Sequence, residues 1–194
     1  MTKWILGFAL ALACLDSPGS AQAATLNISI NTTSLSGTSG RFEFDLFDGD
    51  SVVNNTATIS NINTDGILGT VDCTIGCTGT SPYTLDDSLG FANLLQDLTL
   101  GTVFSFTLNY TNNFTSGTPD QLVLFLLDPL TNFTLLNTNL DLPYSDALVL
   151  VTLDGTPNNI ALSDNAVPEP TTALLFTLCL PLLLLRKRLL PTNS

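Results

Sequence analysis

Along most of this chain, apolar and polar side chains alternate one by one. Leu26, Ile28 and Ile30 alternate with Asn27, Ser29 and Asn31; Phe42, Phe44 and Leu46 alternate with Glu43 and Asp45; Ala57 and Ile59 alternate with Thr56, Thr58 and Ser60. The longest example runs from Val103 through Phe104, Phe106 and Leu108 to Tyr110. A period of two sends successive side chains to opposite faces of a pleated strand, so each stretch predicts a strand with one covered and one wet face. Leu122–Leu127 and Ala147–Leu153 are continuous apolar runs, as expected of strands covered on both faces. Turn-forming Gly, Asn, Asp and Ser separate these runs at Ser36–Gly40, Asp48–Asp50, Asp65-Gly66 and Asp154-Gly155. Phe91, Leu94, Leu95 and Leu98 instead recur at helical spacing, which predicts one short helix over Asp87–Asp97, with Asp86 and Asp87 at its N-terminus. About seven or eight strands and a single helix define an all-β chain, a β-sandwich, of which the jelly roll is one form.

Composition strengthens the β reading. Thr, Asn and Ser take the place of most charged residues, and Phe supplies most of the aromatic mass. Disordered chains are poor in the aromatic and β-branched residues that alternate here. The charge is one-sided: 17 Asp and Glu against 5 Lys and Arg, a net charge of −12. Lys3 lies near the start, and Arg186, Lys187 and Arg188 lie near the end, so Arg41 is the one cation between Ala24 and Leu185. Phosphate binding needs a basic face, so nucleic acid is excluded as a partner.

The two ends have a pattern of their own. A basic start, Met1-Thr2-Lys3, leads into an apolar stretch from Trp4 to Leu15; Asp16–Ser20 breaks it, and Ala21-Gln22-Ala23 is an A-x-A site before Ala24. This is the layout of a secretory signal peptide over residues 1–23, cleaved by signal peptidase after Ala23. A lipoprotein site at Leu12-Ala13-Cys14 is the rival reading. At the other end Pro168-Glu169-Pro170 precedes an apolar run from Ala173 to Leu185 and then the basic cluster Arg186-Lys187-Arg188. As a helix, Thr171–Leu185 spans about 22 Å, short of a ~30 Å hydrocarbon core. The basic cluster predicts a cytoplasmic end and transient insertion that leaves the domain outside.

Motif, apolar helix and basic cluster, in this order, resemble the PEP-CTERM sorting signal. The resemblance covers about the last 25 residues. It implies that an exosortase, a membrane-embedded cysteine transpeptidase-like enzyme, recognises Pro168, Glu169 and Pro170 and releases or reattaches the protein. It also implies a Gram-negative host that makes extracellular polysaccharide, with the exported protein at the cell surface or in that matrix. A plain membrane anchor on a Pro-rich stalk is the alternative. Within the domain, Ser36-Gly37-Thr38-Ser39-Gly40, Phe42-Glu43-Phe44-Asp45, Asp48-Gly49-Asp50 and Thr58-Ile59-Ser60-Asn61 are similar to a group of PEP-CTERM proteins without known function. Asp120–Asp128 and Asp154-Gly155-Thr156 agree with that similarity, which implies no activity. The expected organisation is a signal peptide at 1–23, a sandwich at 24–164 and a sorting signal at 165–190.

Candidate chemistry is narrow. The chain has no His, and the expected domain has no Lys. Ser-His-Asp and Cys-His catalysis, His-ligated metals and Schiff bases are therefore excluded there. Carboxylates remain. Glu43 beside Asp45 is the pair a glycosidase would need, but on an alternating strand such a pair reads as a solvated face. Asp45, Asp48 and Asp50 are spaced to offer calcium three or four oxygens of the six to eight it takes; Asp48-Gly49 equally reads as a hairpin turn, so calcium is at most a weak cofactor. Cys14 and Cys179 leave with the ends, so Cys73 and Cys77 read as a disulfide in an oxidising compartment, with a Cys-x-x-x-Cys redox pair as the rival. Phe47 and Tyr144 fall outside the inward alternation and are the candidates for stacking on a glycan. The expected protein is thus a non-catalytic surface or exopolysaccharide-associated component. A glycan-binding module is the alternative, and a carboxylate hydrolase comes third.

Overall fold

The computed structural model describes residues 23–136, 146–156 and 159–168. Among these residues twelve strands follow one another in this order: β1 Ala23–Asn31, β2 Ser39–Phe47, β3 Thr56–Thr64, β4 Ile67–Asp72, β5 Cys77–Gly79, β6 Tyr83–Asp86, β7 Phe91–Thr99, β8 Val103–Thr111, β9 Asp120–Leu127, β10 Val149–Leu153, β11 Ile160–Leu162 and β12 Ala166–Pro168. They form two antiparallel sheets packed as a β-sandwich. The first has the order β12-β1-β8-β3-β6-β5, and the second β11-β10-β9-β2-β7-β4. The alternation read from the sequence decides which side chains meet between them. Phe42, Phe44 and Leu46 of β2 point inward from the second sheet, and Phe104, Phe106 and Leu108 of β8 from the first, all nearly inaccessible to solvent. Phe42 stacks on Phe104 with ring centroids 3.8 Å apart, and Phe44 meets Phe106 edge-on at 5.0 Å. Such aromatic pairs add attraction beyond the area that they bury.

The expected helix is a strand. Residues Phe91–Thr99 pair along their whole length with β2, from Phe47↔Phe91 to Ser39↔Thr99. Ala92, Leu94, Gln96 and Leu98 face the core, and Phe91, Asn93, Leu95 and Asp97 face away. The sequence concealed this alternation because a core position holds a glutamine. Gln96 is 3% exposed and donates its amide to the Asp97 carbonyl at 2.7 Å and to the Gly69 and Thr70 carbonyls at 3.4 Å, where β4 shifts register. A buried amide is tolerated when it is hydrogen-bonded. Asp86 does cap a turn, but a single 3-10 turn, Asp87–Leu89, which Gly90 ends at φ 77°. No α-helix occurs among the described residues, so none there is long and apolar enough to cross a membrane.

Asp48-Gly49 does not close a hairpin either. β2 and β3 lie in different sheets, and the Asp48–Asn55 loop carries the chain over one end of the sandwich. Gly49 is required there because a Cβ would strike the Thr118 and Pro119 carbonyl oxygens. β9 and β10 behave as the continuous apolar runs imply: Val123 and Leu150 face out of the second sheet and are still buried, with Ala147, against Phe47, Phe125 and Ala161. Finally, β12 pairs with β1 from Ile28↔Pro168 to Ile30↔Ala166, so the sandwich continues past the expected boundary at Asp164. Of the terminal features, Ala23, Ala24 and Pro168 lie in strands; Ala21, Glu169, Pro170, Arg186, Lys187 and Arg188 lie outside the described residues.

Candidate functional site

The strongest concentration of polar chemistry lies where the β2–β3 loop meets the start of β9. Asp48 and Asp50 come from that loop, and Asp120, the first residue of β9, comes from beneath it; one carboxylate oxygen of each lies within 4.8 Å of the others. Asp120 is fully buried. Its Oδ1 accepts the backbone N–H of Gly49 at 2.7 Å and of Asp50 at 3.4 Å, and its Oδ2 accepts the Asn55 amide at 2.7 Å. Asp48 Oδ1 accepts the Ser51 N–H at 2.6 Å, and Asp50 Oδ1 accepts the Val52 N–H at 2.8 Å. Ser51 sits at φ 62°, a left-handed conformation that this tight winding imposes.

Asn55 ties the cluster to the rest of the fold. Besides Asp120, its amide donates to the Asn54 side chain and the Asn113 carbonyl, and its Oδ1 accepts the Asn113 N–H at 2.8 Å and the Thr111 hydroxyl at 3.2 Å. Its own N–H, with that of Asn54, goes to Asp87 Oδ2 at 2.7 and 3.1 Å. Asp87 is 1% exposed; burial pushes its carboxyl up despite those two donors, and the charges of Asp120 and Asp48 push the same way. Every ligand atom gathered here is an oxygen, the donor type that hard cations prefer.

The structure divides the expected calcium set. Asp48 and Asp50 belong to this cluster; Asp45 does not, and Asp120 takes its place. Asp45 lies on β2 two residues from Glu43, facing away from the core and opposite Asn93 and the buried Val123 in the flanking strands. It is not solvated as expected: it is 6% exposed, and its Oδ1 has no hydrogen-bond partner among the described residues. Burial, with the Glu43 charge added, pushes its carboxyl up to about 8. Glu43 is also raised by burial, with Arg41 and a hydrogen bond to Asn93 opposing. Two carboxyls displaced in the same direction by apolar surroundings are an unusual feature, since perturbed groups gather where environments are specialised. Arg41 holds Asp97 in a two-armed pair at 2.6 and 3.2 Å, which keeps the Asp97 carboxyl low.

Cys73 and Cys77 are bonded, with Cα atoms 5.0 Å apart. Phe47 packs against Phe91 with ring centroids 5.2 Å apart, and Tyr144 lies outside the described residues. Among the described large apolar residues that are exposed, Phe133 is the single aromatic. Sequence spacing missed Asp120 and the buried role of Asp87. Both come near Asp48 and Asp50 through folding alone, since Asp120 lies 70 residues beyond Asp50. No family model, curated protein or solved structure matches the chain.

Proposed function

We propose that this chain is an exported, non-catalytic β-sandwich protein of the cell surface or exopolysaccharide matrix, sorted through its C-terminal tail by an exosortase. The observation that carries the reading is the order of that tail: Pro168-Glu169-Pro170, the apolar run, then Arg186-Lys187-Arg188. Its resemblance to the PEP-CTERM signal supports signal peptidase and exosortase as partners, a Gram-negative host and transient inner-membrane insertion. The finer fold reading is a jelly roll. Its support is that the chain passes repeatedly between sheets, with β1, β8, β3 and β6 adjacent in one and β2, β7 and β4 adjacent in the other.

A non-catalytic role is supported by how the acidic side chains are engaged. Asp65 accepts the Thr102 hydroxyl and the Thr102 and Val103 N–H groups, Asp154 accepts the Thr156 hydroxyl and N–H, and Asp128 accepts the N–H groups of Thr131 and Leu130; each carboxyl is held low by such bonds. They fasten loops. The reading is tested by replacing Pro168, Glu169 and Pro170 together with Ala and fractionating cells that carry an exosortase. The variant accumulates uncut in the inner membrane while the natural chain reaches the surface; equal release of both contradicts the proposal.

A further inference from the structure

We propose that Asp48, Asp50 and Asp120, joined by Asp87, form a calcium site at the end of the sandwich crossed by the β2–β3 loop. The proposal stands apart from the export reading, because it rests on these residues of the sandwich and not on the C-terminal tail. Its first support is geometric: three carboxylates from two distant segments converge to within 4.8 Å. Turn chemistry accounts for one oxygen each of Asp48 and Asp50, which close local turns, but not for Asp120, which the fold brings in from β9.

The second support is independent of that convergence. Asp87 is 1% exposed, and its Oδ1 has no hydrogen-bond partner among the described residues; Asp50 Oδ2 is likewise buried and without one there. Asp87 and Asp120 hold the same residue, Asn55, one through its backbone N–H and the other through its side-chain amide, so the two carboxylates meet around it. The charges that act on Asp87 are those of Asp120 and Asp48. An unpaired buried carboxylate oxygen is costly, and the ordinary remedies are a donor, a proton or a cation. The described residues have no cation to offer: Arg41, the one basic residue among them, is committed to Asp97.

The ligand chemistry selects the metal. With oxygen donors only, zinc, copper and iron lose to a hard ion. Magnesium demands a near-ideal octahedron at short distances, whereas calcium accepts irregular shells and bidentate carboxylates. Four carboxylates leave part of a shell of six to eight to water, so the affinity expected is of the extracellular kind, with Kd on the order of 10⁻⁴ M.

The experiment is calorimetric titration of calcium into the full chain in detergent after chelator treatment, with melts in chelator and in calcium. One ion binds, magnesium binds at least about tenfold more weakly, and calcium at a hundred times Kd raises Tm by roughly 5 to 10 °C. Asp50→Asn and Asp87→Asn each weaken calcium about tenfold or more; Asp50→Asn, which keeps the oxygen that holds Val52, leaves the Tm in chelator within about 2 °C. Absence of saturable binding up to 10 mM (about a hundred times the expected Kd), equal affinity for magnesium, or calcium binding unchanged in both variants overturns the proposal.

Discussion

Asp45 and Asp120 are both buried aspartates of the second sheet, on adjacent strands, and their surroundings are opposite. Asp120 is fully inaccessible yet receives three N–H donors from the loop above it. Asp45 faces an apolar patch with Oδ1 unpartnered, and its carboxyl is pushed up to about 8. Burial alone therefore does not decide what a carboxylate does. Where the backbone supplies donors, an acidic side chain becomes the fastening for a loop; where it supplies none, the same side chain opposes folding once it ionises.

The comparison can be broken most forcefully at Asp45. Its folded pKa lies above its unfolded value, so its contribution favours folding at low pH and is lost as pH rises from about 4 to about 8. At about 1.4 kcal/mol per pKa unit, the loss approaches an upper figure on the order of 6 kcal/mol. Asp45→Asn should remove that slope, stabilising the protein at pH 8 and changing little at pH 4 in urea unfolding. An unchanged slope would show that Asp45 is solvated in solution.

Next in size is Asp120→Ala, which leaves the buried Asn55 amide and the half-buried N–H groups of Gly49 and Asp50 unpaired and should cost about 3 kcal/mol by the same unfolding measurement. Replacing Cys73 and Cys77 together by Ala should cost about 2 kcal/mol, the closure entropy of so small a loop, and should do so equally at pH 4 and pH 8 because the bridge belongs to neither region. Smallest is Arg41→Ala. Its pair with Asp97 is partly exposed, 23% and 32%, so the loss should be about 1 kcal/mol or less and shrink in high salt. Arg41 also restrains Glu43, so its removal should steepen the decline in stability between pH 4 and pH 8.

The fold was legible where hydrophobicity followed the pleat. β1, β2, β3 and β8 alternate cleanly, and β9 and β10 read as doubly covered. β7 was misread because Gln96 occupies a core position while Phe91, Leu94, Leu95 and Leu98 happen to satisfy a helical spacing. β5, β11 and β12 have three residues each, too few to show a period. The acidic cluster was half legible. Asp48 and Asp50 stand out in the sequence, whereas Asp120 joins them by tertiary pairing, and Asp45 leaves them because strand alternation sends it to the outer face. No spacing rule sees a contact across 70 residues.

We propose centrally that this sandwich, with both carboxylate regions, is the part that remains outside the cell after both ends are removed. Mapping the terminal peptides of the protein in cell-surface fractions by mass spectrometry tests it most directly. The account predicts a chain that begins at Ala24 and lacks everything after roughly Pro170. Peptides reaching Pro191 in most copies would contradict it.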